Sequence, residues 1–155
     1  SDGPDGNDPE AAAARYAGEL ADAARFETAG ERGGVDVPSF DVAMFGVGPD
    51  THVASLFPEL PAVYEAERTV VAVRGAPKPP PTRITLTFPA IRTAKDVWLL
   101  AAGDDKASAV RIGLSAAGDV QVPAAGAYGR RKTLWLMDRA AAAQLPPGLN
   151  RIASP

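Results

Sequence analysis

Between Pro38 and Gly48 the chain reads Phe40-Asp41-Val42-Ala43-Met44-Phe45-Gly46-Val47, apolar at nearly every position and too short for a helix. A strand with one wet face would alternate polar and apolar residues. A run apolar on both faces reads instead as a parallel strand buried on both sides. Residues 69–73, 97–102 and 133–137 are three more short apolar runs of this kind. Between and after them, residues 104–114 and 138–145 have helical composition behind an acidic N-cap, Asp104 and Asp138. Strands alternating with helices predict an α/β chain, a Rossmann-like doubly wound and mostly parallel sheet with helices on both faces.

Asp8-Pro9-Glu10 opens a further helix, with an N-cap acid, a proline at the first helical position and an acid in the first turn. It is expected to reach about Phe26, burying Ala14, Leu20, Ala21 and Ala24 and turning Arg15, Glu19 and Asp22 outward. A turn-rich stretch follows over residues 30–39. At 155 residues the whole chain, 1–155, is expected to form one domain, with residues 146–155 as a loosely held tail. Four strands are few for a sheet covered on both faces. Part of the sheet is therefore expected to lie outside these residues.

Composition closes several classes of function. With no cysteine there is no disulfide, thiolate nucleophile, zinc–cysteine site or iron–sulfur cluster. The net charge is −3 and the only basic run is Arg130-Arg131-Lys132, so nucleic acid is not an expected partner. No apolar stretch has the roughly 18–20 residues that cross a bilayer, and Ser1-Asp2-Gly3-Pro4 is polar, unlike a signal peptide. A cytoplasmic protein with no membrane partner is expected. Trp98 and Trp135 lie within apolar runs and read as core residues.

Ligands of open α/β sheets bind beyond the carboxyl ends of the strands, which directs attention to Gly46-Val47-Gly48-Pro49-Asp50-Thr51-His52-Val53-Ala54-Ser55-Leu56-Phe57-Pro58. Gly46 and Gly48 permit close backbone approach and can turn amides toward an anion. His52 is the only histidine. Asp50, two residues earlier, can orient its imidazole as a general base, although the same residues also suit a capping or packing histidine in a tight turn.

This segment resembles the pattern of the 6-phosphogluconolactonase family, in which glycines, an acid, a histidine and Ser-Leu-Phe-Pro follow one another. The resemblance continues in order. Lys78-Pro79-Pro80-Pro81-Thr82-Arg83-Ile84-Thr85-Leu86-Thr87, then Pro89-Ala90-Ile91, is similar to the family's proline-rich turn and the strand after it. Val97-Trp98-Leu99-Leu100 with Gly103 to Lys106, and Thr133-Leu134-Trp135-Leu136-Met137-Asp138, agree likewise. The resemblance implies hydrolysis of 6-phospho-D-glucono-1,5-lactone to 6-phospho-D-gluconate in the oxidative pentose phosphate route, with a small-molecule sugar-phosphate lactone as ligand and no metal or organic cofactor. It makes His52 the base, Asp50 its orienting acid, the glycine-rich backbone an oxyanion support, and Arg83 and Lys106 the phosphate cations. Lys106 also suits that task by following a strand and a glycine into the first turn of a helix. Arg83 suits it by following three prolines, a stiff polyproline segment.

Two departures from the family stand out. Thr51 occupies the place between acid and histidine where the family usually has glycine, and a β-branched residue tolerates positive φ poorly, so the turn is expected to be either unstrained here or altered. Full members also begin with a strand, a Thr-Gly-Gly-type phosphate loop and an Asp-Glu-Arg-type segment that nothing here matches. A missing N-terminal segment of the same protein is therefore an expected partner, and slow turnover is expected without it. Amino-sugar phosphate isomerases of the same broad fold carry a glutamate five residues after the histidine, where this chain has Phe57. A sugar-phosphate-binding module without catalysis is the remaining alternative.

Overall fold

A computed structural model describes residues 6–27 and 33–149. Residues 28–32, within and beside the turn-rich stretch, and 150–155, most of the expected tail, lie outside the described residues. Helix α1 (Pro9–Ala24) starts as its sequence predicts: the Asp8 carboxylate accepts from the amides of Glu10 (3.0 Å) and Ala11 (3.1 Å). Pro9 sits where a missing amide costs nothing. The buried stripe is Pro9, Ala12, Ala13, Leu20 and Ala24, so Leu20 and Ala24 are as expected while Ala14 is exposed and Ala21 only partly covered. Alanines impose little phase of their own, so the phase follows what the helix lands on, here Val37, Val70 and Ala90.

Strand β1 (Val42–Gly46) comes next, then the hairpin of β2 (Val70–Val73) and β3 (Arg83–Leu86), antiparallel from Val70 opposite Leu86 to Val73 opposite Arg83. The expected strand at 69–73 is thus present, but it belongs to a separate two-stranded sheet. The proline-rich turn returns the chain directly, and a short return permits only antiparallel pairing. Helix α1 packs on this hairpin through Tyr16, Ala17 and Ile84.

The short helix α2 (Phe88–Ile91) leads into β4 (Asp96–Ala101), followed by α3 (Ala107–Gly113), α4 (Pro123–Gly126) and β5 (Lys132–Met137). Strands β1, β4 and β5 form a parallel sheet in the order β1-β4-β5, with Met44, Trp98 and Leu134 in register. Ala43, Phe45, Val97, Leu99 and Trp135 point into a core with Val53, Leu56, Phe57, Ile91 and Ala109. On the other face Met44 is 62% exposed, and Val42, Leu100 and Leu136 are exposed too. The parallel pairing of the 40–47 run is as expected, but its burial on both faces is not: β1 is an outer strand, and no described element covers its even-numbered face. Trp98 lies on that face with Nε1 buried and unpaired.

Two helix expectations need correction. Residues 104–106 form a 3-10 turn ahead of α3, with Gly103 (φ +95) at the cap position and no side-chain cap from Asp104. Residues 139–144 form consecutive turns, with a bend at Leu145, rather than an α-helix. The Asp138 carboxylate accepts from the amides of Ala141 (2.8 Å) and Gly103 (3.1 Å), but Pro146 and Pro147 follow too soon for the turns to propagate, since proline has no amide to donate. Because β1 and β4 run the same way, the loop after Gly46 and the loop after Ala101 emerge side by side.

Candidate active site

Beyond β1 the chain reverses at once. The Thr51 amide donates to the Gly48 carbonyl and the Gly48 amide to the His52 carbonyl, both at 2.9 Å. Thr51, at φ +71, supplies the left-handed residue that closes this turn. Asp50 and His52 are brought together by the reversal rather than by sharing a face of an extended segment. Asp50 Oδ1 lies 2.5 Å from His52 Nδ1 and also accepts from the His52 amide at 3.2 Å.

Partial burial acts to raise the Asp50 carboxyl, but hydrogen bonds from the ring and amide of His52 outweigh it and hold the group below its ordinary value. An ionised carboxylate at Nδ1 places the proton of a neutral imidazole there and leaves the Nε2 lone pair free. Among the described residues nothing hydrogen-bonds Nε2. The pair can thus take a proton from a water molecule and stabilise the imidazolium that results.

Gly48 explains how the pair fits. A Cβ on Gly48 would stand 2.0 Å from His52 Nδ1, 2.2 Å from Cε1 and 2.7 Å from Asp50 Oδ1. The imidazole lies directly over this Cα. Gly46 has open space around its Cα, which suits a ligand's close approach at the strand end. The expected oxyanion support from the backbone needs correction in detail, because the Gly48 amide is spent on His52 and the Val47 amide on Leu100 (3.0 Å). Closing the strand end and the turn consumes these donors.

The turn does not escape strain at Thr51, which stands at φ +71 rather than in an unstrained conformation. A β-branched residue in the left-handed region costs about 1–3 kcal/mol, and Oγ1 is buried without a partner. The surroundings hold it there: the Ala124 amide of α4 donates to the Thr51 carbonyl at 3.0 Å, and Val53, Leu56 and Phe57 are buried just beyond it.

Arg83 opens β3, and the proline run does not lie as an extended polyproline segment. It curls so that the carbonyls of Lys78, Pro79 and Pro80 all accept from the Arg83 guanidinium at 2.8–2.9 Å. Prolines offer no amides, and the guanidinium supplies the missing donors. Arg83 Cζ stands 5.6 Å from the centroid of the Phe57 ring, and the same ring packs at a tilt against His52 with centroids 4.6 Å apart. Lys106 lies apart from this group in the 3-10 turn beyond β4, with Nζ 3.9 Å from Asp105 Oδ2. It shares the carboxyl edge of the sheet with Gly46, but no hydrogen bond or ion pair joins it to Asp50 or His52.

Two cavities stand away from the Asp50–His52 pair. One of about 450 Å³ lies between α1 and β2 beside Asp36 and Arg68; another of about 360 Å³ takes in Arg15 and Arg83 but not His52. The pair itself sits at the open sheet edge, where concavity depends on whatever else covers that edge. Among the described residues no three of His, Asp and Glu gather to hold a metal ion.

Sequence reasoning gave no role to Phe57 at the site, to Thr85, whose Oγ1 accepts the Ser55 amide at 3.0 Å, or to Ala124. Each acts through a contact made only on folding. An apolar Phe within Ser-Leu-Phe-Pro was the one legible signal.

The profile of the family described as glucosamine-6-phosphate isomerases/6-phosphogluconolactonase matches residues 2–135. A 6-phosphogluconolactonase of Streptomyces coelicolor is 64% identical over 154 residues, covering 99% of this chain and 57% of that protein. One of Mycobacterium tuberculosis is 53% identical over 146 residues, covering 94% and 56%. The solved 6-phosphogluconolactonase of Trypanosoma brucei superposes with a TM-score of 0.71 at 30% identity, covering 93% of this chain and 58% of that one. The chain therefore spans somewhat more than half the length of these relatives.

Proposed function

From the premise that this chain belongs to the glucosamine-6-phosphate isomerase/6-phosphogluconolactonase family, we propose that its protein hydrolyses 6-phospho-D-glucono-1,5-lactone to 6-phospho-D-gluconate in the oxidative pentose phosphate route. His52 Nε2 takes a proton from water as the water oxygen attacks the lactone carbonyl carbon. Asp50 orients the ring and stabilises the imidazolium. When the tetrahedral adduct collapses, the bond to the ring oxygen breaks and the imidazolium returns its proton to that oxygen. The carbonyl oxygen recovers its double bond, and no metal or organic cofactor enters the cycle.

The observation that carries this reading is the Asp50–His52 hydrogen bond beyond the end of β1 with Nε2 left free. Gly46 lets the lactone approach, Gly48 makes room for the imidazole, and Arg83 and Lys106 receive the phosphate. Phe57 stands five residues after His52, so no acid there completes a relay of the isomerase kind. The rest of the same polypeptide is the macromolecular partner in this reading, covering the apolar face at Val42, Met44, Leu100 and Leu136. Mixing that segment, made separately, with this chain should protect these strands from amide exchange; unchanged exchange would remove the partner. The protein works in the cytoplasm, with neither membrane nor nucleic acid as partner.

The test is His52→Ala in the full-length protein, following acid release above the spontaneous rate. A fall in kcat of about 10²–10⁴ with little change in product binding is expected. Parent-like turnover would refute the proposal.

A further inference from the structure

We propose that Phe57 is a positioning residue whose single buried ring carries both the imidazole of His52 and the guanidinium of Arg83. It thereby sets the spacing between the base that serves the lactone carbonyl and the cation that receives the phosphate. This deepens the lactonase reading of the same site and rests on it.

The two groups come from segments about thirty residues apart, and neither contacts the other through a hydrogen bond. What they share is Phe57. The His52 ring lies 4.6 Å from it with planes inclined at 32°, and Arg83 Cζ lies 5.6 Å from its centroid. Both contacts are favourable, one between two tilted rings in contact and one between a cation and a π face. The platform is fixed: Phe57 is 1% exposed, within the core that holds Val53, Leu56 and Ile91.

Both groups are also restrained from behind. Three carbonyls of the proline turn hold Arg83, and Asp50 with the Gly48 turn holds His52. The Ser55 amide donates to Thr85 Oγ1 at 3.0 Å, tying the segment that carries Phe57 to the strand that carries Arg83. A ring set between two restrained groups leaves little freedom in their separation. A substrate bound at its phosphate then meets the base at one fixed reach, and misplacement by an ångström costs about 10²-fold in rate.

The test uses the full-length protein with Phe57→Leu, and Ile91→Val as a core control that touches neither group. Should Phe57→Leu fail to fold, Phe57→Met, closer in volume, takes its place. With the phosphorylated lactone, kcat/KM is expected to fall roughly 10–100-fold, with kcat lowered and KM raised together. With glucono-1,5-lactone, which has no phosphate, only kcat should fall. Ile91→Val should lower the melting temperature and leave both kinetic constants in place. Kinetics within about twofold of the parent in a folded Phe57 variant would overturn the proposal, as would a kcat loss with no KM change on the phosphorylated substrate. Parent-like turnover by His52→Ala would instead overturn the lactonase reading.

Discussion

Gly48→Ala isolates the geometry of the pair without removing either member. Gly48 does not have positive φ, so alanine meets no left-handed penalty there, and the three atoms nearest its Cβ all belong to the side chains of His52 and Asp50. The new Cβ would stand 2.0 Å from His52 Nδ1 and 2.7 Å from Asp50 Oδ1. Contact between such atoms needs about 3.5 Å, so the imidazole must retreat by about 1.5 Å or swing away, breaking its 2.5 Å hydrogen bond to Asp50. The His52 side chain is 18% exposed rather than fully enclosed, and the fold is expected to survive its displacement. A displaced base forfeits general-base assistance of about 10²–10⁴ in rate, which is about 2.7–5.5 kcal/mol of barrier. The expected outcome for the full-length protein is a kcat loss in that range, KM within a few-fold of the parent, and a melting temperature changed by a few degrees. Stopped-flow acid release and thermal melts measure the two halves. A folded variant within threefold of the parent kcat would refute the claim that this imidazole, in this position, is the base.

Thr51→Gly relieves the left-handed strain and removes an unpaired buried hydroxyl, against the greater chain entropy of glycine. A net gain of about 1 kcal/mol is expected, read as a higher urea midpoint at unchanged slope; a lower midpoint would show that the threonine packing outweighs the strain. Arg83→Ala and Lys106→Ala should each raise KM for the phosphorylated lactone about 10–100-fold, whereas glucono-1,5-lactone should be insensitive to Lys106→Ala. An unchanged KM in either variant removes that residue from the phosphate site. The Glu65 carboxyl is lowered from 4.5 to about 2 by the amides of Arg68 and Glu67, with burial opposing and the Arg68 side chain helping. A depressed acid stabilises fully above its unfolded pKa and loses that contribution as pH falls through the folded one. Glu65→Gln should therefore melt lower than the parent at pH 7, with the gap closing between pH 4.5 and 2 in a series of thermal melts; a gap independent of pH would remove the linkage.

Local chemistry made several elements readable from sequence. Asp8, Pro9 and Glu10 start α1 because a cap and a first turn involve only neighbouring residues. The runs around Val42, Val97 and Thr133 are strands of one parallel sheet, since apolar residues on both faces suit that setting. The phase of α1 escaped the sequence because its alanines fit several faces. The placing of β2 outside the parallel sheet escaped it because the hairpin return depends on how the proline turn curls around Arg83.

The candidate site divides in the same way. Sequence by itself determined the chemical inventory: one histidine, an acid two residues before it, glycines at the strand end, and two cations that the family resemblance assigned to phosphate. Tertiary structure decided which of these meet. Thr51 in a left-handed conformation, anchored by Ala124, turns the spacing of Asp50 and His52 into a hydrogen bond. A buried Phe57 brings Arg83 to the same place while Lys106 stays apart. Residue types are written locally in the chain, but a meeting of segments thirty or seventy residues apart is set by the shared core between them, and only the folded chain contains it.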